Sequence, residues 1–434
     1  MKNLFLWSVL ICGLCVGTVK SAEDTNALSV DITLFKAIPA ENDKVEIGAK
    51  VVNNGAAEAE GVNVIFRITD DKGAVSFSAK DIITSIPSNS FAVSRQFWEP
   101  GKNGFYRLEI VVDHKDRPRE KSKIKKAVLE IPVVKENIHI HYWYAPKTQK
   151  YVTIIRCGDE DKGYWRDRGV IPSRWTCGYA CRKYIKKDAT ESEIKEYYIK
   201  LWSSALSNSH SISIDEFGSS KPPLSVAMDS ALVEVKKRFP ESFICPYIPG
   251  LTENSIKSFK EAADLVLPER YFHSSACYSG FNREWLHARE GGIAGKTLFC
   301  LGLGSGWINT EGELLNQVRY IRKLAPEMKG IAFFGRTIEV IYQSIDKAVL
   351  DYYIKPVIFA RPAANMQYSI KNIGGMDAKE VRIEFYQGWP ELGAEKKGEK
   401  IIKELKVNEE VTVQAPEGVN VVVPVTTEKH TGLW

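Results

Sequence analysis

The sequence predicts a multidomain chain: a central (β/α)8 TIM-like barrel with N-terminal and C-terminal immunoglobulin-like β-sandwiches. Three observations predict it. Residues 26–134 alternate with a period of two and are cut by turn signals such as NNGAAEAEG and EPGKNG. Residues 138–358 switch to strand–helix alternation at about 30-residue spacing, the pattern of βα units around a parallel sheet. Residues 365–434 return to the period of two and repeat the turn chemistry of the first region.

The chain opens with MKNLFLWSVLICGLCVGTVKSAED, a lysine followed by an apolar stretch from Leu4 to Val16 and then small residues at Val19 and Ser21. That is the layout of a secretory signal peptide, and it assigns residues 1–21 to a cleaved segment. The apolar stretch is shorter than the roughly 20 residues a spanning helix needs. The expectation is therefore an exported protein (secreted, periplasmic or at the cell surface) with no stable membrane span.

Basic and acidic residues nearly balance, 59 against 54. Apart from KDRPREKSKIKK at 115–126, the basic residues are scattered, so no nucleic-acid partner is expected. Ten Trp and eighteen Tyr supply flat faces for stacking on sugars, though large cores use them too. Six cysteines follow the signal segment: Cys157, Cys177, Cys181, Cys245, Cys277 and Cys300. Export permits disulfides, and we expect one from Cys157 to Cys177 or Cys181. The C-x-x-x-C spacing lacks a second close pair and does not make a zinc site. No EF-hand spacing accompanies Asp159, Glu160 and Asp161. No metal and no cofactor are expected.

In residues 26–134 the runs VDITLFKAI, KVEIGAKVVN, GVNVIFRITD, AVSRQFW, GFYRLEIVVD and KKAVLEIPVV read as strands, and a two-sheet sandwich is the economical way to bury them. KVVNNGAAEAEGVNVIFRI at 50–68 can be laid against SIKNIGGMDAKEVRIEFYQ at 369–387, which argues for two related sandwiches. The Asn53-Asn54-Gly55 turn, Val62 to Phe66, Trp98 and Gly104 to Asp113 resemble the bacterial CARDB-like immunoglobulin-type module. Where that pattern has an asparagine-rich tail, this chain has Pro118-Arg119-Glu120. The resemblance implies a spacing role, or a face for a cell-surface partner, and no catalytic residue.

Between 138 and 358, strand candidates fall at 138–145, 151–158, 211–217, 242–248, 263–269, 296–302, 329–335 and 354–360. Helical faces lie between them, such as Leu224, Met228, Ala231, Leu232 and Val235. The first two strands are too close for a helical crossover. They form a hairpin, or a further strand is hidden between 160 and 205. No Gly-x-Gly-x-x-Gly follows the first strand, no Walker lysine follows the GLGSG at 302–306, and there is no G-x-S-x-G elbow.

A barrel works at the C-terminal ends of its strands. Arg156, Asp215, Glu216, Tyr247, Glu269, Arg270, Trp307 and Arg336 fall there, with His273 in the loop after Glu269. Two carboxylates from separate strand ends are what glycosidic hydrolysis needs. We expect Glu216 as proton donor, its proton favoured by burial beside Phe217, and Glu269, or else Asp215, as partner, kept ionised by Arg270 or Arg336. Parity sends Ser211, Ser213 and Asp215 into the mouth and leaves Glu216 on the isoleucine face unless the strand has already turned. The aperiodic segment CGDEDKGYWRDRGVIPSRWTCG at 157–178 reads as a loop over the mouth, pinned by Cys157 and presenting Trp165 and Trp175.

SISIDEFG at 211–218 and APEMKGIAFFGR at 325–336 resemble the barrels of bacterial glycoside hydrolases flanked by β-sandwiches, without matching one specific family. The resemblance implies a polysaccharide or glycoconjugate substrate, with Glu216 as the acid/base. Asp215-Glu216 stands where the pattern has Asn-Glu, and the second glutamate follows a fifth strand rather than a seventh. A non-catalytic glycan-binding or adhesion scaffold is the alternative. A polysaccharide lyase is another, with Tyr247, Tyr271 or His273 as base beside Arg270.

Overall fold

A computed structural model describes residues 28–114, 125–218, 221–272, 277–304 and 306–426. The signal segment, Pro118 to Glu120 and His273 lie outside the described residues.

The N-terminal module comprises β1 (Leu28–Leu34), β2 (Val45–Asn53), β3 (Ala59–Asp70), β4 (Val75–Ile86), β5 (Ser90–Trp98), β6 (Gly104–His114) and β7 (Lys125–Val133). They form two antiparallel sheets, ordered β1-β2-β5 and β4-β3-β6-β7. Alternate residues Ile47, Ala49 and Val51 of one sheet bury against Val62, Val64, Phe66, Leu108 and Ile110 of the other, as expected for packed sheets. The strand we did not anticipate is β4. It is an edge strand whose SFSAKD core carries little hydrophobic contrast between its two faces.

The barrel comprises β8 (His139–Tyr142), β9 (Ile154–Arg156), β10 (Ile171–Cys177), β11 (Ser211–Asp215), β12 (Phe243–Ile248), β13 (Leu267–Arg270), β14 (Cys300–Leu303) and β15 (Gly330–Gly335). Neighbours pair in parallel and the sheet closes from β15 back to β8. Its helices are α1 (Lys162–Arg166), α2 (Glu191–Ser207), α3 (Leu224–Arg238), α4 (Glu253–Ala262), α5 (Ser279–Glu290), α6 (Glu311–Leu324) and α7 (Glu339–Val349). Three capping boxes, at Thr190, Thr252 and Thr310, start α2, α4 and α6 sharply after their loops.

Two expectations are corrected here. The first two strands form no hairpin: β8 and β9 are parallel, His141 opposite Ile154. Their connection carries no helix and is held instead by Asp346 of α7, which accepts from Gln149 Nε2 at 2.7 Å and from the backbone N–H of Lys150 and Tyr151. The hidden strand exists, as β10 inside the presumed loop. The candidate at 354–360 leaves the barrel and becomes β16 (Ile358–Pro362) of the C-terminal module.

That module adds β17 (Gln367–Asn372), β18 (Ala378–Gln387), β19 (Glu395–Leu405), β20 (Glu410–Gln414) and β21 (Val421–Val425), in sheets ordered β16-β17-β20 and β19-β18-β21. Its kinship to the first module is visible in one buried side chain. Asn53 donates to Ala57 O at 2.8 Å and Ile86 O at 3.0 Å while accepting from Gly55 N. Asn372 donates to Met376 O at 2.8 Å and Leu405 O at 3.0 Å while accepting from Gly374 N. The offsets along the chain are the same in both.

Both modules seat on the N-terminal end of the barrel. Leu34 N donates to Asp167 O and Ala37 N to Gly169 O, just ahead of β10. Lys135 N donates to Gly375 O ahead of β8. The buried guanidinium of Arg322, at the end of α6, donates to Met328 O and Ile373 O and lies 4.8 Å from the Tyr353 ring.

The matching asparagines generate the first prediction. Asn53→Ala removes the donor to the Ala57, Ile86 and Pro87 carbonyls and the acceptor of Gly55 N–H, and Asn372→Ala removes the donor to the Met376 and Leu405 carbonyls and the acceptor of the Gly374 and Val357 N–H groups. Each should lower stability by about 2–4 kcal/mol, measured by denaturant unfolding. A loss below about 0.5 kcal/mol at either site, within the range of an ordinary surface substitution, would dismiss that asparagine as its module's anchor.

Candidate active site

In a parallel sheet, paired residues share a face. The register therefore carries one inward set around the closed barrel: His141, Arg156, Ser173, Ser213, Cys245, Leu267, Cys300 and Ala332. β9 ends at Arg156, and continuing the other seven strands by two residues leads toward the C-terminal mouth at Trp143, Trp175, Asp215, Tyr247, Glu269, Gly302 and Phe334.

On β11 the serines face inward. Ser213 Oγ lies 2.8 Å from Ser173 Oγ and 3.3 Å from His141 Nε2. Asp215 continues that face and is half-buried at the mouth, where Trp175 Nε1 donates to its Oδ2 at 3.4 Å. Glu216 has left the strand, with a left-handed φ of 50°. It is exposed, and Phe217 behind it is buried against Trp202 and Phe259. The burial expected to favour a proton on Glu216 is spent on the ring of Phe217 instead.

On β13 the face shared by Leu267 and Glu269 is the barrel interior, not the helix side. Glu269 is half-buried and accepts from Tyr271 Oη at 2.8 Å. Its carboxyl is pushed up to about 7, chiefly by desolvation and further by the charges of Asp215 and Glu216, against the opposing pull of the Tyr271 hydroxyl and Arg270. Asp215 is also raised by desolvation. Its Trp175 hydrogen bond, the Glu216 backbone N–H and the Arg156 charge all favour its anion.

Aromatic rings line the same mouth. Trp143 lies 4.6 Å from Phe334, 5.5 Å from Tyr247 and 6.5 Å from Trp175 between ring centroids. Tyr271 stacks on Phe334 at 5.1 Å and meets Trp307 at 4.8 Å. Trp307 folds back over Gly302, where a Cβ would fall 2.7 Å from the indole. Only glycine seats it. The Arg156 guanidinium lies 4.9 Å from the Trp143 ring, and that of Arg336 lies 4.2 Å from Tyr144.

Four expectations change. Trp165 sits on α1, is 3% exposed, and is buried in the core of the barrel domain rather than presented over the mouth. Tyr247 is fully buried beneath Trp143, its hydroxyl 2.9 Å from His141 Nδ1, so it supports the floor instead of meeting a ligand. Arg270 points to the helix side and pairs with Glu284, because residues 269 and 270 alternate across the sheet. The disulfide joins Cys177 to Cys181 across the turn after β10, while Cys157 stays a free thiol pushed up to about 11 by burial. Trp143, Phe334 and the Tyr271–Glu269 contact were missed, although the period of two marks each.

Among the described residues no three His, Cys, Asp or Glu side chains converge as a metal site. Nor is any helix there long and apolar enough to cross a membrane.

No protein-family model matches the chain, and no curated protein does. Among solved structures it is similar to the CARDB domain of a Pyrococcus furiosus protein, at 20% identity over 26% of this chain and 90% of that one, TM-score 0.22. It is also similar to Bacteroides uniformis β-glucuronidase 2, at 10% identity over 92% of this chain and 60% of that one, TM-score 0.34. A third is a putative β-galactosidase from Bacteroides fragilis, at 9% identity over 94% of this chain and 75% of that one, TM-score 0.32. The chain thus spans about 60% of the length of the glucuronidase. The architecture rests on this chain's own strand order.

The raised carboxyl has a consequence for stability. Glu269 binds its proton more tightly folded than unfolded. Its contribution is therefore full below its ordinary value of 4.5 and is lost as pH rises through about 7. Glu269→Gln removes the titration. Relative to the wild type, the variant should gain up to roughly 3 kcal/mol on going from about pH 4 to pH 8. Parallel stability–pH curves for the two proteins would contradict the raised value.

Proposed function

We propose that the barrel is a glycoside hydrolase acting on a polysaccharide or glycoconjugate, with Glu269 as proton donor and Asp215 as its ionised partner. One observation carries this reading: two carboxyls from different strand ends share a mouth and are both raised by desolvation, Glu269 up to about 7, while Trp175, the Glu216 N–H and Arg156 restrain the rise of Asp215. That division of labour is what glycosidic cleavage requires. Glu269 keeps its proton near neutrality and gives it to the departing oxygen as the glycosidic C–O bond breaks. Asp215 faces the developing positive charge as nucleophile or as base for water.

Trp143, Trp175, Tyr271 and Trp307 offer apolar faces for sugar rings, and Arg156 and Arg336 offer donors at the rim. Glu216 changes role from the one its sequence context favoured: exposed, it lacks a donor's desolvation, and its charge helps keep the proton on Glu269. The lyase alternative loses support because burial pushes the Tyr247 and Tyr271 phenols far up, so the phenolate that would act as base does not form, and Arg270 faces away. Export after cleavage near residue 21 belongs to the proposal, as does the working division into 26–134, 138–358 and 365–434. In it the sandwiches space the barrel from a surface.

Turnover on a glycan panel tests the reading. Glu269→Gln and Asp215→Asn should each lose about 10²–10⁴ in rate while melting normally, and Glu216→Gln should stay within about tenfold. The wild-type kcat/KM should fall about tenfold per unit above pH ~7 as Glu269 deprotonates. Glutamine at 269 with wild-type turnover sinks the assignment. A wild type that binds glycans and cleaves none hands the function to the scaffold alternative.

A further inference from the structure

The ladder between β12 and β13 pairs Tyr247 with Leu267 and Ile248 with Pro268, and continues no further. The residue that follows β12 is Pro249. Neither proline has an N–H to give, so backbone pairing with β12 stops before Glu269, which pairs only with Cys300 of β14 on its other side. Arg270 fills the gap. Its Nη1 donates to Glu269 O at 2.7 Å and to Pro249 O at 2.9 Å, one cation bridging the two strand ends.

Arg270 is 6% exposed and Glu284, on α5, is 2% exposed. Their Nη2–Oε1 approach of 2.6 Å is off the hydrogen-bond axis, and we read it as a charge contact. The other carboxylate oxygen of Glu284 accepts from Leu251 N at 2.8 Å. One buried ion pair thus ties the turn at 249–251, the end of β13 and a helix to one another. Such pairs add little net stability, because desolvation consumes most of their Coulomb gain. What this pair supplies is geometry.

We propose that Arg270 and Glu284 are positioning residues, replacing the missing rung of the β12–β13 seam and so fixing the backbone from which the Glu269 carboxyl reaches the mouth. The inference rests on the hydrolytic reading above for its kinetic consequence, but not for its structural one. The Arg270 charge also draws Glu269 toward ionisation, so position and protonation are coupled through one side chain.

The test compares Arg270→Lys, which keeps the charge and loses the fork, with Arg270→Met and the apolar pair R270M/E284L. Lysine should cost about 10- to 100-fold in kcat/KM, carried by kcat with KM nearly unchanged, since a small misplacement of a reacting group costs that much. In Arg270→Met the Glu269 carboxyl, followed by carbon-13 NMR, should titrate above the wild-type value, and the Leu251 amide should exchange faster. If Arg270→Met does not fold, Arg270→Lys carries the same exchange measurement. Wild-type kcat/KM, titration and Leu251 exchange in a normally melting R270M/E284L would overturn the proposal. If the wild type hydrolyses no glycan, the hydrolytic reading fails, while exchange and titration still decide the clamp.

Discussion

The constraint on which the rest of this structure depends is the two-residue period of its barrel strands, given a fixed meaning by closure. In an open sheet either face can meet solvent. Here one face fills the barrel and the other meets the helices, and every parallel seam passes the inward assignment to the next strand. His141, Ser173 and Ser213 therefore share one interior layer, and their hydroxyls and ring nitrogens satisfy one another instead of lying orphaned. Two residues further, the same parity delivers Trp143, Trp175 and Asp215 to one rim. The site follows from the fold.

The physical character of that rim comes from how little water its aromatic rings admit. Trp143, Phe334, Tyr271 and Trp307 form a continuous set of ring contacts beside Glu269. A carboxylate there loses hydration and faces two like charges, and the Tyr271 hydroxyl and the Arg270 charge do not offset both. Asp215 is also raised, by desolvation and by the Glu216 charge, but three contacts that favour its anion limit the rise. Similar groups a few strands apart thus acquire different proton affinities from their neighbours alone.

Much of this was legible in the sequence, and the failures have physical causes. The three-part plan, seven of the eight barrel strands and the inward turn of Asp215 followed from periodicity. Strand β10 did not, because Ile171-Pro172-Ser173-Arg174-Trp175 places Ile171, Ser173 and Trp175 on one face and a proline and Arg174 on the other, and so carries little hydrophobic contrast. Strand β16 read as a barrel strand because its Val-Ile-Phe run is equally suited to a sandwich core. The faces of β13 carry no hydrophobic contrast: Leu267 fills the interior, while the outward Arg270 is buried where Glu284 comes to meet it. Long-range partners of that kind leave no local trace in sequence. The Cys177–Cys181 pairing depends likewise on a tight turn whose geometry the spacing alone did not fix.

The flanking modules extend the argument from the site to the whole chain. Their named contacts with the barrel fall ahead of β8 and β10 and at the end of α6, all on the N-terminal side. A barrel's strand starts contribute stability and its strand ends carry chemistry, so docking there buries surface without competing for the mouth. One asparagine recurs with the same offsets to its glycine and carbonyl partners, in Asn53 and Asn372, so two modules of different length share one turn anchor. A single buried amide, fully bonded, substitutes for a hydrophobic contact where two turns must cross a core. Each module therefore needs only a small apolar core of its own, and the larger one belongs to the barrel, where Glu269 is held in the interior set of side chains.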